Sequence, residues 1–441
     1  KIDAGEIAAV SFSGQMMGCL CIDRNRRPLR RAMIWADTRA AEQAEALERK
    51  IPQQAFYHIV GHRNTASYGI QKLMWVRDHE PEIYENTWKV LNAKDYVAYC
   101  LTGNVCTDYS DANSEGCFDL SRLDWSEEIL EAAGISPDKY PECRPSSYVV
   151  GNVTPEAAEK TGLSTNTKVV IGSGDGVAAN VGAGSIEPGK TYLCLGTSSW
   201  ITTTSDKPVF DDQMRTVTWA HMVPGLYAPN GTMQFAGGAY QWIRNNICLM
   251  EAYEAGNAGK SPYDFMNEEV SKSPVGANGI LFLPYFLGER APRWDMCATG
   301  SFVGLTARST RADLLRSVIE GVSLNLSVIL EILRQHMDIE ELVILGGGAK
   351  GKPWREILAS TLNARLRVPA LLDEAGAMGA AVNAGVGAGI YSGYGAIERF
   401  LDFEDVQDPD PADAAKYAEL REKFNDCYYA LREFNRKYKG K

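Results

Sequence analysis

Apolar residues in this chain fall into short β-branched runs and longer stretches at helical spacing, and the two kinds alternate along most of its length. Strands are predicted at 6–13, 33–36, 88–91, 168–171, 191–195, 216–221, 226–229, 280–284 and 341–345. Helices are predicted at 39–50, capped by Thr38, and at 70–79, 95–101, 125–133, 310–336 and 414–438. Two more start at Gly237 and near Pro353, and loops are expected at 136–145 and 256–262. This alternation predicts a layered α/β architecture. In 310–336 the residues Leu314, Leu315, Val318, Ile319, Val322, Leu326, Ile329 and Leu333 cover more than one face, as a helix buried between layers would. Thr310 and Asp313 stand at capping-box spacing at its start. In the last helix Tyr417, Leu420, Phe424, Cys427, Leu431, Phe434 and Tyr438 make a narrow stripe. Packing against its own domain is the ordinary reading of that stripe, and the coiled coil of a homodimer is the sharper one.

The chemistry concentrates at 168–200. A strand ends in Gly172-Ser173-Gly174 and delivers one acid, Asp175, ahead of a run of small residues suited to a tightly packed helix. Glu187-Pro188-Gly189 is a turn, and a second strand ends in Gly196-Thr197-Ser198-Ser199, whose amides and hydroxyls suit phosphate oxygens. An acid to take a proton and a polar turn to hold an anion are the minimum equipment for phosphoryl transfer. Two blander readings compete. Gly174-Asp175-Gly176-Val177-Ala178-Ala179 fits a dinucleotide fingerprint, but that pattern wants an acid about 20 residues on, where Gly196 and Thr197 stand. Alternatively, Asp175 only caps a helix and Gly196 only makes a turn.

Further strand ends offer polar groups. Gly14-Gln15-Met16-Met17-Gly18 is one such turn, although core packing is the ordinary fate of Met16 and Met17. Asp37-Thr38-Arg39 is another. Gly237 opens a helix whose first amides could face a nucleotide. Gly346-Gly347-Gly348-Ala349 joins a strand to a helix in the same way, and there close backbone packing would equally explain the glycines.

Composition narrows the classes without choosing among enzymes. A net charge of −11 over 441 residues argues against nucleic acid or an anionic membrane as partner, while leaving room for a nucleotide in a local site. No apolar run reaches the length of a membrane span and no signal peptide is evident. Ten cysteines without C-x-x-C spacing read as reduced thiols of a cytoplasmic protein, and five histidines show no zinc-ligand spacing. The chain opens at Lys1 with a strand already under way, so upstream sequence is expected.

Assembled, these residues resemble the FGGY family of carbohydrate kinases over nearly the whole chain. Gly300-Ser301-Phe302-Val303-Gly304-Leu305, followed by Asp313-Leu314 and Ser317-Val318-Ile319-Glu320, resembles the family's long C-terminal signature. The segment 67–78, with Lys72 and Trp75, resembles the shorter N-terminal one, with Gly69 where Pro, Ser or Thr is usual. The resemblance implies the two-lobed actin-like ATPase (ribonuclease H-like) fold, with a sugar-binding lobe at 1–187 and a nucleotide-binding lobe at 188–441 that close over the substrates. It implies ATP with Mg²⁺ as cofactors and a small sugar as acceptor. Asp175 becomes the catalytic base and a magnesium contact. Gly196, Thr197, Gly237, Gln241, Gly348 and Ala349 line the nucleotide site. Within the family the chain is most similar to xylulose kinases, through Gln15, Met16, Met17, Trp35, Asp37 and Arg39, which with Gly176 become sugar contacts. Those enzymes usually carry His where Met17 stands, which leaves other ketoses, polyols and sugar acids open. The family's N-terminal Asp-x-Gly-Thr phosphate loop has no counterpart in this sequence. Two expectations follow from that: an active kinase once its upstream segment is present, or a sugar- or nucleotide-binding protein without kinase activity.

Overall fold

The computed structural model describes residues 2–439; Lys1, from which the first predicted domain is counted, and the last two residues lie outside the described residues. The chain divides into two compact units. The first holds Lys1–Pro188, Thr204–Pro229 and Glu374–Leu401, and the second holds Gly189–Thr203, Asn230–Asp373 and Asp402–Lys441. Among the described residues no helix is long and apolar enough to cross a membrane.

In the first unit, Ala9–Val10 pairs parallel with Lys168–Val170, which pairs antiparallel with Val149–Asn152. Farther along the same two segments, Ser13–Gly14 pairs parallel with Ser173–Gly174. The turn at 15–18 and Asp175 therefore leave neighbouring strands at the same end. Asp175–Gly182 is a helix, and small residues let it lie almost in contact with the helix Ala375–Gly387. A Cβ on Gly182 would run into the carbonyl of Ala375, and one on Gly379 into that of Ala178. That approach is the physical reason for the small-residue run. Beyond it, the strand residues 9–13 and the alanines 377, 380, 381 and 384 border an open groove of about 590 Å³. The apolar interior of this unit is divided into several clusters, one of them around Leu73, Val76 and Phe56.

The second unit is built on a mixed sheet. Its order runs from residues 230–233 of the strand Tyr227–Met233 through Ser199–Thr203, Thr191–Leu195, Glu341–Leu345, Arg365–Pro369 and Phe403–Gln407. Thr191–Leu195 and Glu341–Leu345 are parallel neighbours. The helix Arg311–Arg334 carries the predicted capping box, with Thr310 accepting from the Asp313 amide. Its Val318, Ile319, Val322, Leu326, Ile329 and Leu333 are all buried in one continuous core, as their all-round spacing predicts.

Several predicted elements differ. Residue 33 makes only an isolated bridge with Cys19, not a strand over 33–36. Thr38 caps nothing, and the helix starts later, at Ala41–Glu48, because Asp37 takes the Arg39 amide and guanidinium and turns the chain there. The expected loop at 136–145 contains the strand Glu142–Arg144, paired with Cys106–Asp108. The expected loop at 256–262 is helical up to Ala258, and the chain turns at Gly259 with φ 63°. The last helix, Pro411–Lys439, does pack within its own unit through Tyr417, Phe424 and Tyr428. Its Phe434 and Tyr438 are exposed, so the stripe is not buried to its end.

Candidate functional site

In the first unit the predicted sugar contacts gather around one strained turn. Met17 has φ 61°, in the left-handed region that costs a side-chain-bearing residue energy. Its amide donates to Ser114 Oγ at 2.9 Å, and the next amide, of Gly18, donates to Asn92 Oδ1 at 2.7 Å. The carbonyl of Met17 accepts from Lys72 Nζ at 2.7 Å, and the same ammonium donates to the Ile34 carbonyl at 2.8 Å. Cys19 and Met33 exchange backbone hydrogen bonds of 2.9 and 3.1 Å, which brings the segment 34–39 alongside. There Asp37 holds Arg39 through Nε at 2.9 Å, and the Arg39 guanidinium lies 5.0 Å over the Trp75 ring. Arg39 drives the Asp37 carboxyl below its ordinary value. Gln15 and Trp35 are exposed, Met17 is half-buried, and Met16 is buried against the backbone of Gly174. Core packing is thus the place of Met16 but not wholly of Met17.

Asp175 opens its helix directly after the paired strand end. Its Oδ1 accepts from the Gly176 amide at 2.7 Å. Desolvation by the surrounding protein raises its carboxyl above the ordinary range, against the lowering effect of that amide. Beneath it lies a buried polar network that sequence reasoning missed. The Gly174 amide donates to Ser110 Oγ at 2.9 Å, and Ser110 Oγ donates to Asp108 Oδ2 at 2.7 Å. Lys94 Nζ reaches Asp95 at 2.6 Å, Asp108 at 2.9 Å and Asp111 at 3.2 Å. Burial alone would lower the Lys94 pKa, but Asp108, Asp95 and Asp111 together raise it well above its ordinary value. Asp111 is pushed well up by burial. Polar residues crowded at 107–115 between apolar segments were the available signal, together with the capping box of Asn92 and Asp95.

Gly69, which departs from the family pattern, also finds its reason. A Cβ there would collide with the Glu115 carboxylate, which sits against the first turn of the helix Gly69–His79. Glu115 is raised to about 8 by burial, and its Oε1 accepts from Asn92 at 2.8 Å.

In the second unit the predicted nucleotide residues converge at one end of parallel strands, the usual ligand edge of such sheets. Gly196 and Thr197 follow the strand Thr191–Leu195, and Gly346 follows its neighbour Glu341–Leu345. The first amides of the helix Gly237–Asn246 do not face outward as predicted. Those of Ala236 and Gly238 donate to the Thr197 carbonyl at 2.7 and 3.0 Å, and that of Gly237 to the Gly196 carbonyl at 2.9 Å. They hold the loop in place. Thr197 is exposed, and the amides and hydroxyls of Thr197 and Ser198 have no hydrogen-bond partner among the described residues. Gln241 is exposed on the same helix. Gly346 and Gly348 leave no room for a Cβ beside Leu195, so close packing accounts for those two glycines, whereas Gly347 has open space. Ala349 is fully buried and its carbonyl accepts from Arg355 at 2.7 Å, so it supports the turn from within.

Among the described residues, no three His, Cys, Asp or Glu side chains converge as a metal cage. A lone carboxylate such as Asp175 fits a magnesium ion that is carried mainly by nucleotide oxygens and water.

Comparison with known proteins gives the family. Residues 1–182 match the N-terminal domain, and residues 191–388 the C-terminal domain, of the FGGY family of carbohydrate kinases. The chain is 31% identical over 438 residues to the xylulose kinase of Bacillus subtilis strain 168, covering 99% of this chain and 85% of that protein. It is 32% identical over 369 residues to the gluconokinase of the same strain, covering 82% of this chain and 71% of that protein. Among solved structures it is similar to ligand-bound xylulose kinase from Lactobacillus acidophilus, with a TM-score of 0.89 at 27% identity over 97% of this chain and 85% of that one.

Proposed function

The chain belongs to the FGGY family of carbohydrate kinases, and on that premise we propose that it transfers the γ-phosphoryl group of ATP to a hydroxyl of D-xylulose. It is a sugar kinase, a phosphotransferase, with the α/β two-domain actin-like ATPase fold. The observation that carries the catalytic reading is the place of Asp175, a carboxylate that leaves its strand at the same end as the 15–18 turn, where the surrounding protein also raises its pKa. A carboxylate held above its ordinary value is a better proton acceptor.

In this reading the sugar hydroxyl gives its proton to Asp175 as its oxygen attacks the γ-phosphorus in line. The bond to the β-phosphate oxygen breaks and ADP leaves. With Oδ1 held by the Gly176 amide, Oδ2 is the oxygen that takes the proton. Gln15, Met17, Trp35, Asp37, Arg39 and Gly176 hold the sugar, with Met16 packed behind them. The Thr197 and Ser198 amides and hydroxyls meet the phosphate oxygens, and Gly237, Gln241 and Gly348 border the nucleotide. Magnesium held by Asp175 and the phosphates would offset phosphate charge when bound.

A sugar acid is the second reading. It is favoured by Met17, which stands where His is usual in xylulose kinases, and by the similarity to a gluconokinase. A panel of D-xylulose, D-gluconate, other ketoses and polyols, assayed with the full-length protein and ATP, separates the two. Highest kcat/KM on D-xylulose supports the proposal, and highest on D-gluconate replaces it. Asp175→Asn is expected to lower kcat by about 10²–10⁴ while sugar binding persists, which is what loss of a general base costs. Near wild-type turnover in that variant would remove Asp175 from the chemistry.

A further inference from the structure

Lys72 is a fully buried ammonium. It points at two backbone carbonyls, those of Met17 and Ile34, at 2.7 and 2.8 Å. Removing a charge from water is costly, and structural hydrogen bonds to carbonyls could be made by a neutral donor. Where this ammonium is placed is therefore informative. Met17 lies in the strained turn at 15–18, and Ile34 begins the segment that carries Trp35, Asp37 and Arg39. These are the two stretches read above as the sugar contacts, and Lys72 is bonded to both. One turn farther along the same helix, Trp75 lies under the Arg39 guanidinium.

We propose that Lys72 is a positioning residue for sugar recognition, tying the left-handed Met17 turn and the 35–39 segment into one arrangement through their carbonyls. Ser114 is the second anchor of the turn, through the Met17 amide. Asn92 is the third, through the Gly18 amide, and is itself oriented by Glu115. With its N–H, its carbonyl and the following N–H all bonded to buried side chains, Met17 is held at positive φ by tertiary structure. A sugar bound there meets groups already in position and loses less ordering entropy on binding. This inference rests on the reading of both stretches as sugar contacts.

The test is steady-state kinetics and calorimetric sugar binding with the full-length protein. Lys72→Met keeps an unbranched chain one atom shorter and removes the ammonium. It is expected to raise the sugar KM and Kd about tenfold, the cost of loosening a preorganised site, with the ATP KM unchanged and kcat within about threefold. Ser114→Ala, a smaller change that keeps the fold if Lys72→Met does not, should raise the sugar KM about threefold. Combined, the two should be non-additive, because both act through one turn. Gln15→Ala, which alters an exposed contact and leaves the anchors intact, reports on the sugar reading itself. If Gln15→Ala raises the sugar KM and neither anchor variant does, the positioning role is overturned. It is overturned equally if the anchor variants lower the melting temperature and degrade sugar and ATP parameters alike. If none of the three changes the sugar KM, the sugar reading of these stretches fails and takes the positioning role with it.

Discussion

In the first unit, the turn at Met17 is held by the side chains of Lys72, Ser114 and Asn92, which lie 55, 97 and 74 residues away in sequence. In the second unit, the loop at Gly196 and Thr197 is held mainly by backbone amides of residues 236–238 on backbone carbonyls, with one local side-chain bond, from Ser199 Oγ to the Cys194 carbonyl at 2.6 Å. A loop made of backbone can change its surface residues freely and fails only where an added Cβ intrudes. A turn clamped by side chains can be retuned by substituting the residues that clamp it, and its geometry can drift from one relative to the next. The relatives are named for different sugars, a xylulose kinase and a gluconokinase, and on the proposed reading the second kind of construction falls on the sugar side. The interiors differ in the same sense: one continuous core under the nucleotide residues, several smaller clusters in the unit of the turn.

The largest effect that would break this contrast comes from Gly237. A Cβ there would lie 2.5 Å from the Gly196 carbonyl oxygen. Gly237→Ala must therefore push the loop aside, and kcat/KM for ATP should fall by about 10², the cost of misplacing binding groups by an ångström. Thr197→Val, which deletes a hydroxyl but leaves the backbone, should cost less than about tenfold. Comparable losses in the two variants would mean that the loop is not built by its backbone.

The same contrast explains what was legible in the sequence. Backbone-built features announce themselves through glycine and strand ends, so the strand-end positions of Asp175 and Gly196 and the layered α/β class could be read directly, while the two-lobed fold came through the family resemblance. The small-residue run at 176–184 foretold a tightly packed helix, and the structure supplies its partner, Ala375–Gly387. What sequence hid was the set of clamps, because Lys72, Asn92, Ser110, Ser114 and Glu115 meet their targets only after the chain folds. Periodicity also failed where a local side chain overrode it. Asp37 captured Arg39 and displaced the expected cap at Thr38, and the Gly237 helix spent its amides on the loop.

A second prediction uses a feature the two units share. Each buries a glutamate raised to about 8 by desolvation, Glu115 in the first and Glu289 in the second. Unfolded, each returns to about 4.5, so the folded protein holds the proton more tightly and loses stability as pH rises toward 8. His62 and His221 are lowered to about 4 by burial, and they destabilise the fold only as pH falls below their unfolded value of 6.5. Between these limits each glutamate contributes about 1.4 kcal/mol per pH unit, in the same direction as the other buried carboxyls that are raised, Asp95, Asp111 and Glu320. Thermal melts from pH 6.5 to 8 should show Tm falling. Glu115→Gln and Glu289→Gln should each flatten that slope, since a glutamine resembles the protonated acid. Only Glu115→Gln should also raise the sugar KM, because Glu115 orients Asn92 at the turn. Glu289 Oε1 instead accepts from the Gln234 and Arg290 amides at 2.7 and 2.8 Å, beside the nucleotide-side helix. Equal effects of both variants on sugar KM would dissolve the distinction between the units.

The smallest expected effect is the sharpest test of the sugar side. Histidine is among the residues that tolerate positive φ best, so Met17→His should keep the turn at little cost. It exchanges a thioether for a ring that can donate or accept a hydrogen bond. If Met17 faces the sugar, kcat/KM should move toward D-xylulose by roughly two- to tenfold relative to D-gluconate and polyols, the worth of one hydrogen bond. The anchors at Lys72, Ser114 and Asn92 are untouched, so the melting temperature and the ATP KM should hold. If Met17 is a packing residue, the added polarity should lower the melting temperature and leave the sugar ratios where they were. That outcome would withdraw Met17 from the sugar and locate selectivity at Gln15 and the 35–39 segment, which the same clamp holds.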